Sequence, residues 1–107
     1  MYQLIFYVPV SHKESVKKAL FSAGAGSYKN YDSCSFETEG VGQFRPLNGS
    51  NPYIGERNKI EKVKEFRVEM IVENKKIKTV LNTLINTHPY EEVAYSIWKI
   101  IDKENLL

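Results

Sequence analysis

Cysteine occurs once in this 107-residue chain, at Cys34, so no internal disulfide can staple the fold and no paired-cysteine metal motif is available. No apolar run approaches the roughly 18 residues that a membrane-spanning helix needs. The stretch Leu4-Ile5-Phe6-Tyr7-Val8 is too short for a secretory h-region and has no basic stretch before it. The chain is therefore expected to be cytoplasmic, with no membrane partner. An excess of one charge is also missing. Fifteen Lys+Arg against 13 Asp+Glu leave a net charge of +2, which argues against nucleic acid as a partner. Neither an internal repeat nor a low-complexity segment is visible. What remains is a globular composition, 42% hydrophobic and 26% charged, at a length that suits one domain with a single core.

The pattern along the chain alternates between two periods. Tyr2–Val8 is an aromatic and β-branched run of strand length, stopped by Pro9. Ser11-His12-Lys13-Glu14 fits a capping box, and Val16, Ala19, Leu20 and Ala23 follow at helical spacing before Gly24. Ser33–Glu39 alternates as a strand. Gly40-Val41-Gly42 reads as a turn or bulge, after which Gln43-Phe44-Arg45 resumes extended structure up to Pro46. Asn48–Gly55 is the longest irregular stretch, of the kind that is functional or packed on a neighbour. Lys62–Val72 alternates again, with Phe66, Val68, Met70 and Val72 on one face and Arg67, Glu69 and Ile71 on the other. Asn74 is placed to cap a second helix whose apolar stripe is Ile77, Val80, Leu81, Leu84 and Ile85. Pro89 ends that helix by forcing His88 out of the α region. Val93–Ile101 reads as a last strand and Asp102–Leu107 as a tail or short helix. The order β-α-β-β-α-β, with a small extra hairpin in the middle, predicts an α+β ferredoxin-like fold: an antiparallel sheet with two helices on one face.

Polar chemistry is densest at His88-Pro89-Tyr90-Glu91-Glu92-Val93-Ala94-Tyr95, between the second helix and the last strand. An imidazole beside carboxylates can ligate a metal or move a proton. The same residues also suit a rigid helix-to-strand turn or an interface, and a metal site needs three or more ligands. Only His12, Cys34 and scattered acids could complete one, so the structural or interface role is favoured. The glycines at Gly24 and Gly26 follow a helix instead of preceding one, the reverse of a phosphate-binding fingerprint. Cys34 has no histidine signature and reads as a small packed thiol. Tyr28, Tyr31, Phe44 and Tyr53 form a set of loop aromatics of the sort that subunit contacts bury.

Several stretches together carry a resemblance. They are Gly24-Ala25-Gly26, Asn30-Tyr31-Asp32-Ser33-Cys34-Ser35-Phe36, Gly40-Val41-Gly42-Gln43-Phe44-Arg45-Pro46, Asn51-Pro52-Tyr53-Ile54-Gly55, Glu65-Phe66-Arg67-Val68-Glu69 and His88-Pro89-Tyr90-Glu91-Glu92. In this order they resemble the inserted domain of the YqfO-type dinuclear-metal proteins, the GTP cyclohydrolase 1 type 2 homologues. That domain is similar to the PII and CutA proteins, which are ferredoxin-like trimers. Nothing here matches the family's metal ligands, which lie outside the insert, so neither the metal centre nor a cyclohydrolase activity is implied. Nor is there a motif matching the ATP site of PII.

Two positions depart from the pattern. Lys29 stands where a third glycine is common, and Val93 stands where a proline follows the paired glutamates. Val93 returns a backbone donor and would let the last strand pair one residue earlier. The resemblance implies a non-catalytic homo-trimer that senses a small ligand or metal ion, or mediates protein interaction. His88, Tyr90, Glu91 and Glu92 would sit at a subunit cleft with Arg45 and Tyr53 as neighbours. A divalent metal ion is one candidate ligand. The competing reading is a metal-dependent hydrolase using His88 and Glu91 with His12 or Cys34.

Overall fold

The computed structural model describes residues 1–107. Strand β1 (Tyr2–Pro9) leads through a 3-10 turn into helix α1 (Lys13–Ser22). Strands β2 (Phe36–Phe44) and β3 (Glu61–Val72) follow, then helix α2 (Ile77–Thr87), strand β4 (Tyr95–Lys99) and a terminal turn of helix α3 (Lys103–Leu106). The four strands form one antiparallel sheet in the order β2-β3-β1-β4. Both long helices lie on one face of it, which is the ferredoxin-like plan.

That arrangement follows from where the apolar side chains point. Leu4, Phe6 and Val8 of β1 alternate onto the same face as Val68, Met70 and Val72 of β3, and all six are buried. Val16 and Leu20 of α1 and Val80 and Leu84 of α2 close over them to form one core. Burying each such side chain contributes about 1.5–3 kcal/mol. Helix α1 stops as expected at Gly24, whose positive φ of 109° lets the Gly24 and Ala25 amides turn back onto the carbonyls of Phe21 and Leu20. A clasp ties α1 to β2: Lys17 Nζ lies 2.8 Å from Glu37 Oε1, and Lys13 binds the other oxygen of the same carboxylate. That pairing pulls the Glu37 carboxyl below its ordinary range.

Five local expectations are corrected. The capping box at Ser11 does not form, because the Ser11 hydroxyl pairs with His12 Nδ1 and a 3-10 turn carries the chain into α1. Asn74 does not cap α2 either; its side chain accepts from the Met1 ammonium, and Asn74–Lys76 is another 3-10 turn. Gly40-Val41-Gly42 is neither turn nor bulge. Strand β2 runs straight through it in register with β3, Gly40 opposite Glu65 and Gly42 opposite Val63, so the extra hairpin is the far end of one long ribbon. Cys34 lies before β2, half-exposed, with its amide bonded to the Gly26 carbonyl. Ile85, placed in the apolar stripe of α2, is exposed.

Gly26 is the tightest backbone junction in the fold. Its φ is +73°, its amide bonds the Ile71 carbonyl, and a Cβ there would meet the Cys34 carbonyl oxygen at 2.6 Å. Gly40 faces open space. Gly26→Ala is therefore expected to lower stability by about 1–3 kcal/mol, whereas Gly40→Ala stays within about 0.5 kcal/mol of the wild type. Urea denaturation of the two variants side by side checks the contrast.

Candidate functional site

Pro89 holds His88 in an extended conformation (φ −74°, ψ 140°) at the end of α2. The imidazole turns inward and is 6% exposed. Nε2 lies 2.7 Å from the Tyr7 carbonyl oxygen, and Nδ1 lies 3.1 Å from the Tyr90 amide nitrogen. A carbonyl only accepts and an amide N–H only donates, so the proton sits on Nε2 and Nδ1 accepts. His88 is thus the neutral tautomer with both nitrogens committed to backbone. Burial pushes its pKa down, in keeping with that state.

The same contact sets where β4 begins. The Tyr7 amide donates to the Ala94 carbonyl, but the Tyr7 carbonyl is taken by the imidazole where a longer β4 would supply the Ala94 amide. The ladder consequently begins at Tyr95, paired with Phe6. The earlier pairing expected from Val93 does not occur.

Anchored by His88, the Tyr90 ring projects among three others. The centroid of His88 lies 4.8 Å away, that of Phe44 6.2 Å and that of Tyr53 6.3 Å. His12 packs edge-on against the far side of Tyr53 at 5.7 Å. The Tyr90 hydroxyl donates to Glu65 Oε2 at 2.8 Å. Burial and the Glu65 carboxylate together push that phenol far above its usual range. Glu91 turns the other way and accepts the Asn51 amide at 2.9 Å, pinning the 46–60 loop to the turn. The long loop and the His88–Tyr95 turn therefore meet within one chain.

Of the six residues expected at a ligand site, His88, Tyr90, Glu91 and Tyr53 are brought together. Arg45 and Glu92 are exposed and make neither hydrogen bond nor ion pair. No three His, Cys, Asp or Glu side chains converge on a point that could hold a metal. Cys34 is tied to Gly26, away from the turn, and His12 is separated from His88 by Tyr53 and Tyr90. The residue that sequence reasoning missed is Glu65, which is 9% exposed despite lying on the strand face away from the helices. Its carboxylate occupies the gap over Gly42, where an added Cβ would overlap Oε1. The legible signal was the alternate glycines Gly40 and Gly42, which leave one strip of strand face without side chains.

Comparison with known proteins places this geometry. No protein-family model matches the chain. The GTP cyclohydrolase 1 type 2 homolog of Bacillus subtilis is 45% identical over 98 residues, covering 92% of this chain and 26% of that protein. The protein of the same name from Halalkalibacterium halodurans is 38% identical over 107 residues, 100% of this chain and 29% of its own. A crystal structure of a Bacillus cereus protein related to NIF3 superposes with a TM-score of 0.81 at 38% identity, over 94% of this chain and 26% of that one. Proteins of this chain's own size share the fold at much lower identity. The PII-like protein CutA from Nostoc gives a TM-score of 0.69 at 13% identity, covering 100% of this chain and 86% of that one. The periplasmic divalent cation tolerance protein CutA from Archaeoglobus fulgidus gives 0.67 at 18%, with 97% and 90% covered. The chain thus spans about a quarter of the length of the curated relatives it matches; it is homologous to that part of the GTP cyclohydrolase 1 type 2 homologs, and its fold is the one shared by the CutA and PII-like structures.

Proposed function

We propose that the chain is a non-catalytic, cytoplasmic PII/CutA-like module that assembles as a homo-trimer. In this reading it takes a small ligand, a metal ion or a protein partner where the His88–Tyr95 turn meets the 46–60 loop. The observation that carries it is the sheet face left bare by the helices. On that face Phe36 and Trp98 are 67% and 50% exposed, and β4 offers an unpaired outer edge. Large aromatics on an uncovered sheet are what an interface core is made of. Tyr53, Tyr90 and Glu91 form the ordered part of the proposed ligand surface, with Arg45 and Glu92 free at its rim. His88 contributes by position, since its two nitrogens hold Tyr7 and Tyr90.

Light scattering is expected to give three times the 12.4 kDa chain mass, and Trp98→Lys to give a smaller species. A wild type that stays monomeric at micromolar concentration removes the assembly. A thermal-shift screen of nucleotides and divalent ions tests the ligand, with a wild-type shift expected that Tyr53→Ala or Glu91→Ala abolishes.

The buried neutral imidazole sets a pH dependence. The folded pKa of His88 is lowered, so the unfolded chain takes up the proton first. Its contribution is fully present above the ordinary histidine value of about 6.5 and is lost as pH falls below it. Protonation would also put a second donor against the Tyr90 amide. Stability is therefore expected to fall between about pH 7 and pH 5 in the wild type and to fall less steeply in His88→Gln. The substitution itself costs about 1–3 kcal/mol at neutral pH. Urea midpoints across the range measure both.

A further inference from the structure

Asparagine is a thermolabile residue, because its side-chain carbonyl carbon lies within reach of the next residue's backbone nitrogen. Eight asparagines occur in this chain, and Asn48 alone is followed by glycine. The others are followed by residues whose side chains crowd that approach, or, at Asn51, by Pro52, which has no N–H to lose.

The structure leaves the Asn48–Gly49 pair free to react. Asn48 is exposed at the tip of the 47–50 turn, inside the 46–60 loop. The Gly49 amide makes no hydrogen bond, and a Cβ at Gly49 would meet nothing within 4 Å. The Asn48 side chain is held only at its oxygen, by Asn58 Nδ2 at 3.4 Å. That contact draws electrons away from Cγ and leaves the Asn48 side-chain nitrogen unheld as a leaving group. Closing a ring requires rotation about the Asn48 Cα–C bond. The turn resists it only through Ser50, whose amide and hydroxyl both donate to the Leu47 carbonyl, at 3.1 and 2.6 Å. An exposed turn tied at one point opens locally at small cost. Asn30 and Asn58 lack this freedom, since the amides that follow them, of Tyr31 and Lys59, are held by the Tyr28 and Glu56 carbonyls.

We propose that Asn48 is a site of spontaneous covalent modification, where the folded protein converts to aspartate and isoaspartate. The Gly49 nitrogen bonds to Asn48 Cγ as the Cγ–Nδ2 bond breaks. Ammonia leaves with the Gly49 amide proton, and a cyclic imide remains. Water then opens the ring. Attack at Cγ gives aspartate in a normal main chain, and attack at the main-chain carbonyl carbon gives isoaspartate, with the chain rerouted through Cβ and Cγ. The reaction needs only water, so it depends on neither a trimer nor a ligand.

Isoaspartate lengthens the main chain by a methylene between two tied points. On one side the Pro46 carbonyl accepts the Asn58 amide. On the other, Arg57 holds the Ser50 carbonyl and Glu91 holds the Asn51 amide. The added length is taken up between them, which loosens Asn51 from Glu91 and with it the segment that carries Tyr53.

Incubation of the purified protein at mildly alkaline pH, followed by peptide mass spectrometry, tests the site. An amide-to-acid mass gain is expected at Asn48, in both linkages, with no more than a trace at Asn30 or Asn58. Asn48→Gln, whose longer side chain closes a ring slowly, is expected to lose the gain and keep the loop. Hydrogen exchange at the Asn51 amide is expected to be faster in the separated isoaspartyl form than in fresh protein. A folded sample that gains nothing at Asn48, or gains as much at Asn58, overturns the site. Unchanged exchange at Asn51 in the isoaspartyl form overturns its effect on the loop.

Discussion

A buried backbone carbonyl at a strand's end must find a donor, and the way Tyr7 finds one organises this protein. The donor is the His88 imidazole, delivered by a helix that Pro89 ends at the required residue. Because the ring is neutral it can accept on its other nitrogen, and the Tyr90 amide completes it. One side chain thereby joins the end of β1, the end of α2 and the start of the final turn. It also replaces the first rung of the β1–β4 ladder and so fixes where the last strand can begin. A cation in that position would turn a donor, Nδ1–H, against the Tyr90 N–H, which is why burial and neutrality belong together here.

From that junction the constraint passes outward through Tyr90. Its hydroxyl holds Glu65 over the gap at Gly42, and its ring packs Phe44 and Tyr53. The 46–60 loop, which has no helix or strand of its own, is ordered as a consequence. Glu91 holds its Asn51 amide, Arg57 holds the Ser50 carbonyl at 2.8 Å, and the Asn58 amide closes onto the Pro46 carbonyl. Loops of this length in a small domain need such ties to stay folded.

The fold was legible because its elements are written in single-strand and single-helix periodicities. Alternation of Phe66, Val68, Met70 and Val72 and the stripe of Val80 and Leu84 mark their buried faces without knowledge of any partner. The details that failed are those that depend on a distant residue. Ser11 looked like a cap until its neighbour His12 claimed the hydroxyl. Asn74 looked like a cap until Met1 arrived from the other end of the chain. Val93 can donate to a ladder, but the Tyr7 carbonyl that an earlier rung would offer to the Ala94 amide is already held by His88. The cluster at His88–Tyr95 was legible as an unusual density of polar groups, and the pairing of Tyr90 with Tyr53 as an association of turn and loop. Glu65 was not, because a glutamate on an outward strand face is ordinarily solvated. It is buried only because a tyrosine twenty-five positions later reaches across the sheet to cover it.

Glu65 thus faces two ways through its two oxygens: Oε2 takes the Tyr90 hydroxyl, and Oε1 lies over Gly42. Hydrogen bonding to a carboxylate is stronger the less that charge is neutralised from elsewhere. Glu65 makes no ion pair, so its charge is left to the Tyr90 phenol. Tyr90 has no other side-chain hydrogen bond, and its ring touches both the 46–60 loop and His88. The open face of the sheet and the His88–Tyr95 turn are therefore linked by a single carboxylate, so a change at Glu65 reaches the turn through the Tyr90 hydroxyl.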